Sequence, residues 1–201
     1  MRPFIDEILQ WTKSGGERRS ALLSEMDSLT QQGIDCRHCT GVCCTSVANS
    51  MKVTPLETLD IFYALWTQNK QQEENVISFL DRISLMMKHC IVQYRLDVEI
   101  PSNGKREFLR RTYTCPFFAH KNLGCTINRD YRPYGCLGFN PLTAHNLDGE
   151  KCSINNNVHR ERELLHHAHE ELENREVSQR YHLYFNKLPL PVALLHLIDH
   201  L

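Results

Sequence analysis

Thr54-Pro55-Leu56-Glu57-Thr58-Leu59-Asp60-Ile61-Phe62-Tyr63-Ala64-Leu65-Trp66 is the stretch that sets the fold class. Thr54 suits the cap before a helix, and Pro55 suits the first helical position. Glu57 stands three residues after the cap, where its carboxylate reaches back to the cap amide. Leu56, Leu59, Phe62 or Tyr63, and Trp66 then share one face at helical spacing. After a polar break at Gln68 to Glu74, Val76, Leu80, Ile83, Met87 and Cys90 or Ile91 form a second stripe. The spacing predicts two successive helices within 54–90.

Upstream, Phe4, Ile5, Ile8, Leu9 and Trp11, then Leu22, Leu23, Met26 and Leu29, are apolar positions spaced along a polar segment. They predict two short helices broken at Ser14-Gly15-Gly16, with Gly33 closing the second. Downstream the period changes. Val92, Tyr94, Leu96, Val98 and Ile100 alternate with polar residues, which predicts a strand. Asn103-Gly104 is a hairpin turn signal, and Phe108 to Thr114 is the expected return strand delivering Cys115. Residues 115–152 are loop-rich. Asn155 to Asn157 can cap a last helix with Leu165, Ala168 and Leu172 on its apolar face, and Pro189 and Pro191 precede a short apolar tail helix. The fold expected is mainly α with a small β-hairpin, and cysteine-rich loops that converge on one or two metal or cluster centres. Three segments follow: a helical extension over 1–33, a cysteine-cluster metal-binding domain over 34–155, and a C-terminal helical segment over 156–201.

Apolar residues make up 41% of the 201-residue chain, enough for a core that needs no staples. The formal net charge of -1 gives no electrostatic footprint for nucleic acid or an anionic membrane surface. Asp6 and Glu7 interrupt the opening residues, so no export signal is read there, and no apolar run approaches the ~20 residues of a membrane span. The expected location is therefore cytoplasmic. The chain has nine cysteines, and in a reducing compartment clustered cysteines read as metal ligands or redox groups rather than disulfides.

Cys36-x2-Cys39 is a chelating spacing, because two intervening residues let both thiolates face one centre. Cys43 and Cys44 follow, after Gly41 has loosened the backbone. Cys115, Cys125, Cys136 and Cys152 make a second set of four. Adjacent side chains point apart in extended or helical backbone, so Cys43 and Cys44 are expected to face different surroundings. Cys90 lies on the apolar stripe of the second helix and reads as core. His38 and His120 stand near the two sets as further nitrogen donors. Arg132 is read as a group that offsets thiolate charge, or as part of a turn stiffened by Pro133. His159, Glu163, His166 and Glu170 include an E-x-x-H pair, but no second such helix exists, so a solvated face is expected.

The segment Cys36-Arg-His-Cys39-Thr-Gly-Val-Cys43-Cys44 resembles the opening of the zinc- or iron-chelating domain family known as CxxCxxCC cysteine-cluster proteins. Thr114-Cys115-Pro116-Phe117-Phe118, Gly124-Cys125-Thr126-Ile127 and Tyr131-Arg132-Pro133-Tyr134-Gly135-Cys136-Leu137-Gly138-Phe139 are similar to its later blocks. The likeness spans residues 34–142. Here three residues, not two, precede the paired cysteines, and Leu137 stands where that family carries arginine. The resemblance implies a metal or iron–sulfur site in a small, mostly helical bacterial protein, and some relatives are linked to N-methylation of flagellin lysines. An iron–sulfur cluster is the preferred cofactor over zinc, because the cysteines outnumber the ligands of one structural zinc. The role expected is structural, sensing or electron transfer. The alternative is a cluster-dependent redox or protein-modifying enzyme, such as a lysine N-methylase-like activity. A protein partner is left open. No glycine-rich nucleotide loop, no G-x-S-x-G and no paired zinc-finger histidines occur.

Overall fold

A computed structural model describes residues 2–33, 41–70, 75–98, 111–119, 124–141, 152–154 and 156–201. The chain is mainly helical, with short antiparallel ladders. Helix α1 (Arg2–Gln31) leads to α2 (Pro55–Lys70) and α3 (Val76–Tyr94). The long α5 (Asn156–Tyr181) and the short α6 (Leu190–Asp199) close the chain. Helices α1, α5 and α6 all pack on α2, and α3 packs on α6. The three segments expected from sequence thus share one core, which joins Ile8, Leu56, Phe62, Ile83, Val177 and Leu194. Among the described residues no helix is long and apolar enough to cross a membrane.

The capping box forms as read. The Thr54 amide donates to Glu57 Oε2 at 2.9 Å, and the Glu57 amide donates to Thr54 Oγ1 at 3.2 Å. Every residue from Pro55 to Phe62 is buried, so α2 is a central helix rather than an amphipathic one. Asn75 caps α3 by accepting from the Ser78 amide at 2.9 Å.

Three expectations are corrected. First, α1 is one continuous helix across Ser14-Gly15-Gly16. Gly15 is a packing glycine, since a Cβ there would lie 2.7 Å from Arg19 Nη1 and 2.9 Å from Asp60 Oδ2. That bare backbone lets Arg19 and Asp60 pair at 2.7 Å, both fully buried. Burial pushes the Asp60 carboxyl up to about 6 even against the pull of Arg19, so the desolvation of this pair is costly.

Second, the residues from Val92 do not begin a strand. α3 continues through Tyr94 and stops at Arg95, which takes the left-handed conformation (φ 52°, ψ 46°). The Arg95 amide bonds the Ile91 and Val92 carbonyls, and the Leu96 amide bonds the Ile91 carbonyl at 3.0 Å. This helix-ending pattern folds Leu96 back onto Ile91, beside Cys90 and Tyr113. Asn103-Gly104 and Phe108 lie outside the described residues. The segment that delivers Cys115 pairs elsewhere, with the Tyr113 amide donating to the Asn49 carbonyl at 2.9 Å.

Third, Leu165 and Leu172 of α5 face solvent, at 76% and 50% exposure. The buried face carries Arg162, Glu173, Val177 and Tyr181 instead. Ion pairs make that polar face buriable: Arg162 meets Glu170 at 2.5 Å, and Glu173 meets Arg18 of α1.

The two adjacent glycines of α1 test this packing. Nothing lies within 4 Å of a Cβ at Gly16, so Gly16→Ala is expected to raise stability by about 0.5–1 kcal/mol. Gly15→Ala is expected to lower it by about 1–3 kcal/mol through overpacking against Arg19 and Asp60. Urea melts of both variants decide the point, and equal stabilisation by both would remove the close α1–α2 contact.

Candidate metal centre

The first cysteine loop is shaped by Gly41. Its left-handed backbone (φ 71°, ψ 27°) starts a 3₁₀ turn over Val42–Cys44, closed by the Cys44 amide on the Gly41 carbonyl at 2.7 Å. A Cβ at Gly41 would fall 2.0 Å from Phe118 Cζ. Glycine is therefore required twice, for the backbone and for the aromatic ring that covers it. Within this tight turn Cys43 and Cys44 hold their Sγ atoms 4.0 Å apart.

The second cysteine segment docks directly on the first. The Cys115 amide donates to the Cys44 carbonyl at 2.8 Å, and the Ser46 amide donates to Thr114 Oγ1 at 3.1 Å. Phe118 turns back on Cys115 through its amide at 3.0 Å. It then pairs with Cys125 across the ladder of β2 (Phe118–Ala119) and β3 (Gly124–Cys125). Arg132 ties in the next turn, its Nη2 donating to the Cys125 carbonyl at 3.1 Å and its Nε to the Ile127 carbonyl at 3.0 Å. Both guanidinium contacts are to backbone, so the turn-stabilising reading of Arg132 is the one the geometry supports.

Cys136 sits in a single helical turn, α4 (Tyr134–Leu137). That turn is fixed from three sides. The Tyr134 amide donates to Glu57 Oε1 of α2 at 2.9 Å. The Tyr134 hydroxyl accepts from Arg18 Nε of α1 at 3.1 Å. The Arg162 guanidinium of α5 lies 3.5 Å over its ring. Cys90 stands apart in a small cluster with Ile91, Leu96 and Tyr113, and its thiol reaches the Thr114 carbonyl at 3.7 Å. Its placement agrees with the core reading.

The thiols feel one another. Burial pushes the Cys136 thiol well up, and the charges of Cys115, Cys125, Glu57 and Cys43 push the same way. The Cys115 thiol is pushed up to about 12 by burial and then by Cys125. The Cys43 thiol is raised by its hydrogen bond with Cys44, then by burial. Crowded, partly buried thiolates repel one another, and a cation bound among them would favour the ionised form instead.

Cys36, His38 and Cys39, and likewise His120, lie outside the described residues. Cys152 opens strand β5 (Cys152–Ile154) opposite Pro141 of β4 (Phe139–Pro141), and its side chain is outside the described set. Among the described residues no three Cys, His, Asp or Glu side chains meet the spacing that holds a metal ion. The α5 stripe does not gather either. Glu163 is exposed, Glu170 is taken by Arg162, and His159 rests on Gly138, where a Cβ would fall 1.6 Å from its Nε2. Two participants were invisible in the sequence pattern: the second oxygen of Glu57, and the Phe118 ring over Gly41. Only the glycine itself hinted at the latter.

Gly41→Ala is expected to undo the docking of the two cysteine segments, and Phe118→Leu in the same chain to restore part of it. The part left unrestored is the left-handed backbone cost, about 1–2 kcal/mol. A double-mutant cycle by denaturant melts reads both parts. Additive effects would show that ring and glycine do not touch.

Compared with family models, with curated proteins and with solved structures, the chain shows no match.

Proposed function

We propose that this protein holds a thiolate-bound metal centre, an iron–sulfur cluster in preference to zinc, with a structural, sensing or electron-transfer role. One observation carries the reading. Cysteines from separate parts of the chain, Cys43 and Cys44, Cys115 and Cys125, and Cys136, lie near enough for their charges to oppose one another's ionisation, on segments joined by backbone hydrogen bonds. Chance burial of small apolar residues would not require the left-handed Gly41, the Arg132 contacts and the Glu57 contact that hold those segments.

The donor chemistry fits. Thiolates bind both zinc and iron–sulfur clusters, and the site offers sulfur donors with Cys36 and Cys39 as the remaining members of the first set. Cys36, Cys39, Cys43, Cys44, Cys115, Cys125, Cys136 and Cys152 would hold the group, and Cys90 would not. A bound cluster supplies one-electron redox capacity at a half-buried site, whereas zinc supplies a crosslink. The chain's own residues set the rest. Arg132 and Glu57 fix the turns that present Cys125 and Cys136. Phe118 covers the entry of the first loop. The motif likeness to the CxxCxxCC cysteine-cluster family points to the same chemistry.

The test is the visible absorption spectrum, with iron, sulfide and zinc analysis, of the chain purified without oxygen. Expected is a thiolate–metal band with stoichiometric metal, lost in Cys115→Ser and in Cys136→Ser. Cys90→Ala is expected to keep the metal while losing on the order of 1 kcal/mol of stability. Wild-type protein without metal, or Cys90→Ala losing it while folded, would overturn the assignment.

A further inference from the structure

Glu57 is 3% exposed, and each of its carboxylate oxygens has a separate task. Oε2 accepts the Thr54 amide at 2.9 Å and closes the α2 capping box. Oε1 accepts the Tyr134 amide at 2.9 Å, 77 residues away in sequence. Tyr134 opens α4, and the residue before it, Pro133, provides no side-chain cap. The first amides of a helical turn have no partner within it, so an outside acceptor decides whether the turn is held. Cys136 lies two residues on, its own amide bonded to the Pro133 carbonyl at 2.9 Å.

We infer that Glu57 is a positioning residue for the cysteine centre: its second carboxylate oxygen anchors the α4 turn and so fixes where Cys136 stands. The inference rests on reading the cysteines as metal ligands. Glu57 is not itself a ligand, since both oxygens are engaged by backbone amides. Nor does it help as a charge. A buried carboxylate beside thiolates disfavours their ionised form, so its contribution to the site must be geometric. A geometric role explains why a charge stays buried here. Only an ionised carboxylate offers two full acceptors, and a glutamine in its place offers one acceptor and a donor that opposes an amide.

The other anchors of α4 grip the Tyr134 side chain. Arg18 bonds its hydroxyl, and Arg19 and Arg162 lie 4.7 Å and 3.5 Å over its ring. Glu57 alone among these groups grips the backbone of the turn. Losing it frees the main chain of α4 while leaving the ring packed.

The experiment compares Glu57→Gln with Thr54→Ala in the full chain. Thr54→Ala removes the other half of the capping box and leaves the Glu57–Tyr134 bond intact, so it controls for a weakened α2. Hydrogen exchange of the α4 amides is measured on metal-free protein, and metal loss to a chelator on protein purified without oxygen. Expected for Glu57→Gln is at least about tenfold faster exchange at Tyr134 and at least about tenfold faster metal loss, the usual scale for a residue that orients a ligand. Thr54→Ala is expected to change neither by more than about twofold, although both variants melt earlier. Unchanged exchange in Glu57→Gln overturns the anchor, and faster exchange with wild-type metal retention overturns its link to the site. Should Glu57→Gln fail to fold, the wild-type Tyr134 amide decides, since without strong protection there is no anchor. Wild-type protein purified without metal overturns the metal reading itself, and with it this inference, by a result distinct from the exchange data.

Discussion

Two carboxylates one turn apart on α2, Glu57 and Asp60, have almost no access to water, at 3% and 0% exposure. A buried carboxylate without partners is prohibitively costly, and the rest of the molecule is arranged to supply them. Asp60 draws in Arg19 and with it α1, through a contact that only a glycine at position 15 permits. Glu57 draws in the α4 turn. The two are joined again on the far side, because Arg19 Nε donates to the Arg132 carbonyl at 3.0 Å, just before that turn. The charged spine of α2 thereby orients both the N-terminal helix and the segment bearing Cys136. Buried ion pairs of this kind contribute less to net stability than to a unique arrangement, and here that arrangement is what the cysteines depend on.

The cysteine segments meet because of backbone, not because of sulfur. Cys44 and Cys115 are joined by a main-chain hydrogen bond, Cys125 faces Phe118 across a short ladder, and Arg132 pins the carbonyl of Cys125. Tyr113, buried two residues before Cys115, lets its hydroxyl donate to the Met51 carbonyl at 2.7 Å and accept from the Leu190 amide at 3.3 Å. The same segment that presents Cys115 is thus fastened to the start of α6. On the proposed reading, a cation bound among these thiols would favour their ionised form and so would couple loading to folding.

Local signals were legible and long-range ones were not. The Thr54–Glu57 box, the α3 stripe and the proline-led tail helix each depend on residues within one or two turns, and each stands where its spacing put it. Gly15 misled because the same residue type marks a break and a close approach, and only the position of Asp60 separates the two. The alternation after Val92 misled because Leu96 is buried by a helix-ending fold-back rather than by a strand. The apolar face read on α5 misled because Arg162 and Glu173 are buried by partners from α1 and from their own helix. The cysteine spacing marked two segments that the backbone joins at Cys44 and Cys115. The turn that sets Cys43 beside Cys44 was hidden, because a 3₁₀ geometry leaves no period to read over three residues.

X-ray absorption at the iron and zinc edges, on protein purified without oxygen, tests the centre most directly. The expected result is a coordination shell made of sulfur, at about 2.3 Å for zinc, with its intensity reduced in Cys136→Ser. A shell of nitrogen and oxygen at about 2.0–2.2 Å, unchanged by that substitution, would contradict a thiolate centre built from these segments.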